Sequence, residues 1–155
     1  MIRRQFITCS LALALTLPAG HHSAAQDAPA CDHDLLPAQI RCHLDAATEA
    51  GSAGPCIAAE NETVRFQCIS LFAERSGTPE TCRLIGSDDP EGAILQNACV
   101  AGAAIANRDP AICEEVDQPG LADACFVQLV LERGGDISLC QRVQNPQLRD
   151  ACLGE

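Results

Sequence analysis

Ten of the eleven cysteines in this chain of 155 residues recur as five evenly spaced pairs. The spacing within successive pairs is 11, 12, 17, 12 and 12 residues, and the spacing between pairs is 14, 14, 14 and 15. The pairs are Cys31 with Cys42, Cys56 with Cys68, Cys82 with Cys99, Cys113 with Cys125, and Cys140 with Cys152. This rhythm indicates an internal repeat, and the even number of regularly spaced cysteines predicts a disulfide framework.

The N-terminus has the parts of a bacterial export signal. Arg3 and Arg4 form a basic region, an apolar segment follows, and small residues at 23–25 offer a cleavage site. We therefore expect residues 1–25 to be a cleaved signal peptide and residues 26–155 to form one cysteine-rich domain in the periplasm or outside the cell. The first residues resemble a twin-arginine signal, and the ordinary secretory route stays open as an alternative.

The second cysteine of each unit lies on an apolar helical stripe, because apolar residues occur four positions before and four positions after it. The residues before it are Ala38, Val64, Leu95, Leu121 and Leu148. The residues after it are Ala46, Phe72, Ala103 and Leu129. Apolar residues at positions i, i+4 and i+8 share one face of a helix, so each second cysteine is expected on the buried face of a long helix.

Start and stop signals agree with these helices. Thr78, Asp109 and Asp136 are expected N-caps of the short helices, and Asn61 and Asn145 are expected before two of the long ones. The stop signals are Gly51, Gly77, the pair Asn107–Arg108 and the pair Gly134–Gly135. Period-2 alternation of β-branched residues is missing, so no strand is expected.

Each unit therefore consists of a short helix, a turn, a longer helix and a loop. We predict an all-α fold of five disulfide-stapled helical-hairpin repeats that form a small α-solenoid or a compact bundle. The plan resembles that of cysteine-rich secreted repeats of the tetratricopeptide and Sel1 kind in architecture alone, since their periods of about 34–36 residues and signature aromatics are absent. The predicted units are residues 28–51, 54–77, 78–107, 109–135 and 136–155.

Two neighbour-to-neighbour pairing schemes fit the repeat. Bonds within units use all ten cysteines, whereas bonds between adjacent units leave Cys31 and Cys152 free. Because exported proteins rarely keep two free thiols, we favour pairing within units. Each such bond closes a loop of about a dozen residues and stabilises the fold by about 3 kcal/mol. This contribution is needed because the chain has only four aromatic residues, all phenylalanine.

Charge and composition exclude several partners. The formal net charge is −11, and the chain has neither tryptophan nor tyrosine. Nucleic acid and anionic membranes attract cationic proteins, so we expect no nucleic-acid binding and, after the signal, no membrane insertion. The arginines Arg65 and Arg149, each three residues before a second cysteine, are expected to form surface ion pairs.

The third unit has the only insertion, residues 86–92, between its two helices. The insertion contains the densest cluster of carboxylates, formed by Asp88, Asp89 and Glu91. A calcium loop is not indicated, because its pattern of alternating oxygen ligands is missing. Irregular loops on a rigid scaffold often carry function, so this loop is the predicted contact with a partner.

Metal binding is the alternative. Exported helical bundles that store copper(I) resemble this chain in size, cysteine number and possible twin-arginine export, and this resemblance implies sequestration of copper(I) or zinc by reduced cysteines. Those bundles use Cys-x-x-x-Cys, whereas the closest pair here is 11 residues apart. Cys31, His33, Cys42 and His43 match no structural zinc spacing either. We therefore predict disulfides and no cofactor, with His43 at a less buried end of the array.

No catalytic constellation is recognisable. The predicted mature part has two histidines and no serine motif beside them, and oxidised cysteines are not nucleophiles. The sequence therefore predicts an exported non-enzymatic scaffold that either binds another protein or is a structural part of the cell envelope.

The predicted framework is testable by mass spectrometry. The native mature protein is expected to be about 10 Da lighter than its all-thiol form and to take up no alkylating reagent, because five disulfides remove ten hydrogens. Ten alkylated thiols, or added mass in multiples of copper or zinc, would favour the metal alternative.

Overall fold

The computed structural model of the chain describes residues 31–132 and 134–154. The predicted signal peptide at 1–25 lies outside the described residues. In the described part every regular element is a helix, which confirms the all-α class.

In residues 31–132 and 134–154, five longer helices alternate with four short ones. The long helices are α1 (Leu36–Ala50), α3 (Glu62–Ser76), α4 (Pro90–Asn107), α6 (Pro119–Leu131) and α7 (Pro146–Leu153). The short ones are the α-helices α2 (Gly54–Ile57) and α5 (Pro110–Cys113) and the 3₁₀ helices η1 (Pro79–Ile85) and η2 (Ile137–Arg142). The insertion of the third unit follows η1 and leads into α4, between a short and a long helix as expected.

Helices that follow one another in sequence also pack together. The long helices contact in the order α1, α3, α4, α6 and α7, and each short helix contacts the long helix before it and the one after it. The short helices therefore fill the space between successive long helices of a compact bundle.

Five disulfides join the beginning of a unit to its long helix. They link Cys31 to Cys42, Cys56 to Cys68, Cys82 to Cys99, Cys113 to Cys125, and Cys140 to Cys152. This is the within-unit scheme. Most of these sulfurs are in the core, while Cys42 and Cys152, in the first and last units, are partly exposed.

Small residues surround the disulfides. Alanines on α1, α3 and α4 are fully buried, and the large buried side chains are few, with Phe72 and Phe126 as the buried aromatics of the described residues. A core that consists largely of alanine and cystine, with a few aliphatic side chains such as Leu44 and Ile69, buries less apolar area per residue than one of large side chains. The disulfides therefore supply stability that larger side chains supply in other helical domains.

The N-caps are largely as predicted. The side chains of Asn61, Asp109, Asp136 and Asn145 each accept a hydrogen bond from a backbone N–H in the first turn. Hydrogen bonds from the backbone and side chain of Ser138 hold the pKa of Asp136 below its ordinary value.

Thr78 occupies the N-cap position of η1 as predicted, but the predicted side-chain cap is wrong. Its side chain makes no capping bond, and its hydroxyl contacts the hydroxyls of Ser76 and Thr81 instead. Three helix stops are as expected: Gly51 and Gly77 adopt left-handed conformations after α1 and α3, and Arg108 does the same after α4 with φ 54°. The stop predicted at Gly134–Gly135 is wrong, because α6 ends earlier, at Leu131, with Glu132 in an extended conformation as its C-cap.

The predicted ion pairs of Arg65 and Arg149 are also wrong. Arg65 Nη1 donates to the carbonyl of Ala59 at 3.0 Å, and Arg149 Nη1 donates to that of Val143 at 3.5 Å. Both arginines lie one turn into a long helix and reach back over the turn that precedes it. They therefore satisfy a carbonyl of their own unit.

Polar side chains also join neighbouring units. Asn97, two residues before the second cysteine of unit three, accepts hydrogen bonds at Oδ1 from the backbone N–H groups of Asp117 and Gln118, at 2.7 and 3.4 Å. The acceptor lies on α4, and the two donors lie in the turn between α5 and α6. One side chain thus satisfies two consecutive N–H groups just before a long helix.

The next unit repeats this arrangement with a carboxylate. Asp123, again two residues before a second cysteine, accepts from the backbone N–H groups of Gln144 and Asn145, at 2.6 and 2.9 Å. Asp123 is 3 % exposed, so its charge is buried among its hydrogen-bond donors. We call these contacts of Asn97 and Asp123 the inter-unit hydrogen bonds.

Replacement of Asp123 tests their contribution. Asp123→Ala is expected to lower the free energy of unfolding by about 2 kcal/mol, because two backbone N–H groups lose hydrogen bonds to a buried carboxylate. Asp123→Asn is expected to lose less than half of that, since Asn97 serves the same purpose with an amide. Urea unfolding followed by circular dichroism, with disulfides intact, measures both.

Asp150 provides the matched control, because it occupies the corresponding position of unit five and is exposed. Asp150→Ala is expected to change stability by less than about 0.5 kcal/mol. An equal loss in Asp123→Ala and Asp150→Ala would mean that helix composition, and not hydrogen bonding between units, causes the effect.

Candidate functional site

The position that carries the inter-unit acceptor in units three and four is Phe66 in unit two. A phenyl ring accepts no such hydrogen bond, and the turn that would face it is the one enlarged by the insertion at 86–92. At this junction the structure has a cleft of about 500 Å³ between α3, η1 and the start of α4. We call it the α3–α4 cleft.

The floor of the α3–α4 cleft is apolar. It is lined by Phe66, Ile69, Leu84, Ile85 and Leu95. Ile69 belongs to the core, Phe66, Ile85 and Leu95 are partly buried, and Leu84 is 50 % exposed at the edge. The cleft thus exposes apolar surface that is continuous with the hydrophobic core.

The rim of the same cleft is acidic. Four exposed carboxylates line it, namely Glu62 on α3 and the insertion residues Asp88, Asp89 and Glu91. Arg65 also lines the cleft, and its guanidinium is bonded to the carbonyl of Ala59. The structure therefore brings the three predicted contact residues to one rim and adds a fourth carboxylate, but their contact with a partner stays a prediction.

Asp89 has a structural role in addition. Its Oδ1 accepts a hydrogen bond from the backbone N–H of Gly92 at 2.9 Å and thereby caps α4. The loop is also packed closely against the helix, since a Cβ atom at Gly92 would lie 3.0 Å from the carbonyl oxygen of Gly86. The rim is consequently held in place by the start of α4.

The repeat itself contains the signal for the cleft floor, although the sequence prediction did not use it. The residues two positions before the second cysteine are Ile40, Phe66, Asn97, Asp123 and Asp150. An aromatic residue at a position that is polar in the three following units, next to the only insertion, marks the junction that differs. Leu84 has no such signal, because its exposure depends on how η1 packs.

Two further cavities are lined by side chains of both charges. One, of about 490 Å³, lies beside Cys42 and is lined by His33, Arg41 and Asp45 among others. The other, of about 480 Å³, lies around Asn97 and has Arg83 among carboxylates. In both, acidic and basic side chains are mixed, whereas the α3–α4 cleft has four carboxylates, one arginine that is bonded to the backbone, and an apolar floor.

The four residues considered as a zinc site in the first unit, Cys31, His33, Cys42 and His43, do not form one. Cys31 and Cys42 form a disulfide, and His43 Nδ1 is 2.8 Å from the carbonyl oxygen of Pro55, a contact between the first two units. Among the described residues no three His, Cys, Asp or Glu side chains are grouped as metal ligands. Sequestration of metal by thiolates would require the five disulfides to be reduced first.

No protein-family model matches the chain, and no curated protein or solved structure is significantly similar to it. In residues 31–132 and 134–154, no helix combines the length and the apolar character needed to cross a bilayer. Five intramolecular disulfides are typical of proteins in an oxidising, extracytoplasmic environment. The fold and its bonds thus define a disulfide-rich helical module of the extracellular kind.

Single substitutions separate the two roles of the rim. Asp89→Ala is expected to lower the free energy of unfolding by about 1 kcal/mol, because α4 loses its N-cap. Asp88→Ala, one residue earlier and equally exposed, is expected to change it by less than about 0.5 kcal/mol. Thermal unfolding measures both. Equal losses would contradict the assignment of the cap to Asp89 alone.

Proposed function

We propose that this protein is an exported, non-enzymatic scaffold that binds a segment of another protein in the α3–α4 cleft. The observation that carries the proposal is the combination, at one junction, of an apolar floor with exposed edges and an acidic rim. Clefts of this size that are open to solvent and continuous with the core are common binding sites.

The disulfides support this proposal because they fix the walls of the cleft. Cys56–Cys68 joins α2 to α3, and Cys82–Cys99 joins η1 to α4. The cysteines of both bonds are buried. A site whose walls are covalently held loses little conformational entropy when it binds a ligand, which favours affinity.

The chemistry of the lining supports binding over catalysis. Among the described residues that line the cleft there is no histidine, serine or cysteine, and the one hydroxyl is that of Thr63, which has no histidine beside it to act as its base. The exposed carboxylates of the rim are suited to the recognition of positive charge on a partner's surface.

Site-specific photo-crosslinking tests the proposal. A photoreactive phenylalanine analogue at position 84, on η1 at the edge of the cleft, is expected to crosslink one defined protein in the producing organism. The same analogue at position 137, on η2, is the control, because Ile137 and Leu84 are similarly exposed, at 55 % and 50 %, and both lie on 3₁₀ helices.

A crosslink specific to position 84 supports binding in the cleft. The absence of a crosslink at 84, or the same products at 84 and 137, contradicts it. Mass spectrometry of the crosslinked peptide then identifies the segment of the partner that is bound.

A further inference from the structure

We infer that the segment bound in the α3–α4 cleft is basic and carries an apolar side chain at its centre. This inference rests on the proposed function and specifies the chemistry of the partner. It follows from three properties of the cleft: the charges on its rim, the apolar floor beneath them, and its volume.

Most of the negative charge on the rim is not neutralised by ion pairs. In the described part of the chain the one ion pair joins Arg142 to Glu114, away from the cleft. Of the rim carboxylates, Asp89 is engaged as the cap of α4, while Glu62, Asp88 and Glu91 are exposed. Arg65 points its guanidinium at the backbone of its own unit. Three carboxylates therefore face solvent along one edge and attract a cation.

The floor adds a second requirement. Leu84 is half exposed, and Phe66 and Leu95 are partly exposed beneath the rim. A purely ionic ligand would leave this apolar surface in water, whereas an apolar side chain would cover it. A ligand that satisfies rim and floor together has basic residues on either side of an apolar one.

The volume of the cleft and the sign of its charge narrow the class of ligand further. A cavity of about 500 Å³ accommodates a few residues of an extended chain. Nucleic acid and anionic lipid surfaces are repelled by the rim and by the net charge of −11. A basic peptide segment is attracted by both.

A binding measurement with defined peptides tests the inference. The probe is a fluorescein-labelled heptapeptide of four arginines, two serines and a central leucine, and the readout is fluorescence anisotropy with the oxidised mature protein. One control peptide replaces the leucine by serine, and the other replaces the arginines by glutamates. The leucine peptide is expected to bind more tightly than the serine peptide, and the glutamate peptide is expected not to bind.

Matched charge variants locate the binding site. The triple variant Glu62→Gln, Asp88→Asn, Glu91→Gln is expected to raise Kd about tenfold at low ionic strength, since each exposed ion pair contributes modestly. The control triple variant removes the same charge from exposed residues of α1 and α7 that do not line the cleft, and it is expected to raise Kd no more than about twofold. Its substitutions are Asp45→Asn, Glu49→Gln and Asp150→Asn.

The floor is tested by Leu84→Ser, which replaces an exposed side chain and so keeps the fold. It is expected to raise Kd severalfold for the leucine peptide and to leave the serine peptide unchanged. Equal weakening by the two triple variants, or equal binding of the leucine and serine peptides, would overturn the inference, because either result would show attraction to the overall charge alone.

The two proposals fail in different ways. A specific crosslink at position 84 to an acidic or wholly polar segment would leave the proposed function intact and overturn the inference about its partner. Binding of the basic probe at the rim without any crosslink at position 84 would confirm the chemistry of the cleft and contradict the proposed function.

Discussion

The covalent bond between the start of each unit and its long helix is the interaction on which this structure depends. The helices meet largely through alanine and cystine, with a few aliphatic side chains such as Ile69 and Leu129 and with Phe72 and Phe126 as the aromatic contributions to the described core. So little apolar area would not offset the entropy of ordering five long helices and the turns between them. Because each disulfide closes a short loop, the unfolded chain is restricted unit by unit, and the core can stay small. A small core in turn leaves room for variation at the junctions between units.

Those junctions differ in how they are closed. His43 contacts the carbonyl of Pro55 between the first two units, and Asn97 and Asp123 accept pairs of backbone N–H groups between the later ones. At the remaining junction Phe66 occupies the acceptor position, and the turn opposite carries the insertion. The same two departures from the repeat therefore create the cleft and supply its apolar floor and most of its acidic rim. The cleft at this point replaces one inter-unit hydrogen bond, while the adjacent disulfides join α2 to α3 and η1 to α4.

Local features of the structure were predictable from residues near one another in sequence. The caps at Asn61 and Asp109 depend only on the first turn of their helices, and the pairing within units follows from the rhythm of the cysteines. The wrong predictions for Thr78 and Arg65 concern side chains whose partners depend on more than the sequence spacing. The side chain of Thr78 makes other local bonds, and Arg65 reaches the carbonyl of Ala59 because of the path of the preceding turn. Neither the direction of a turn nor the competition between local hydrogen bonds is visible in a spacing pattern.

The sequence by itself determined the helical class, the covalent framework and the loop in which acidic residues gather, because helix periodicity, capping and cysteine spacing act over a dozen residues or fewer. Only the tertiary structure decided that Asp88 and Glu91 lie beside Glu62 of another helix, above Phe66 and Leu84. This juxtaposition depends on the angle at which α3 and α4 pack around η1. That angle is set by contacts between units that are separated in sequence, so no local pattern encodes it.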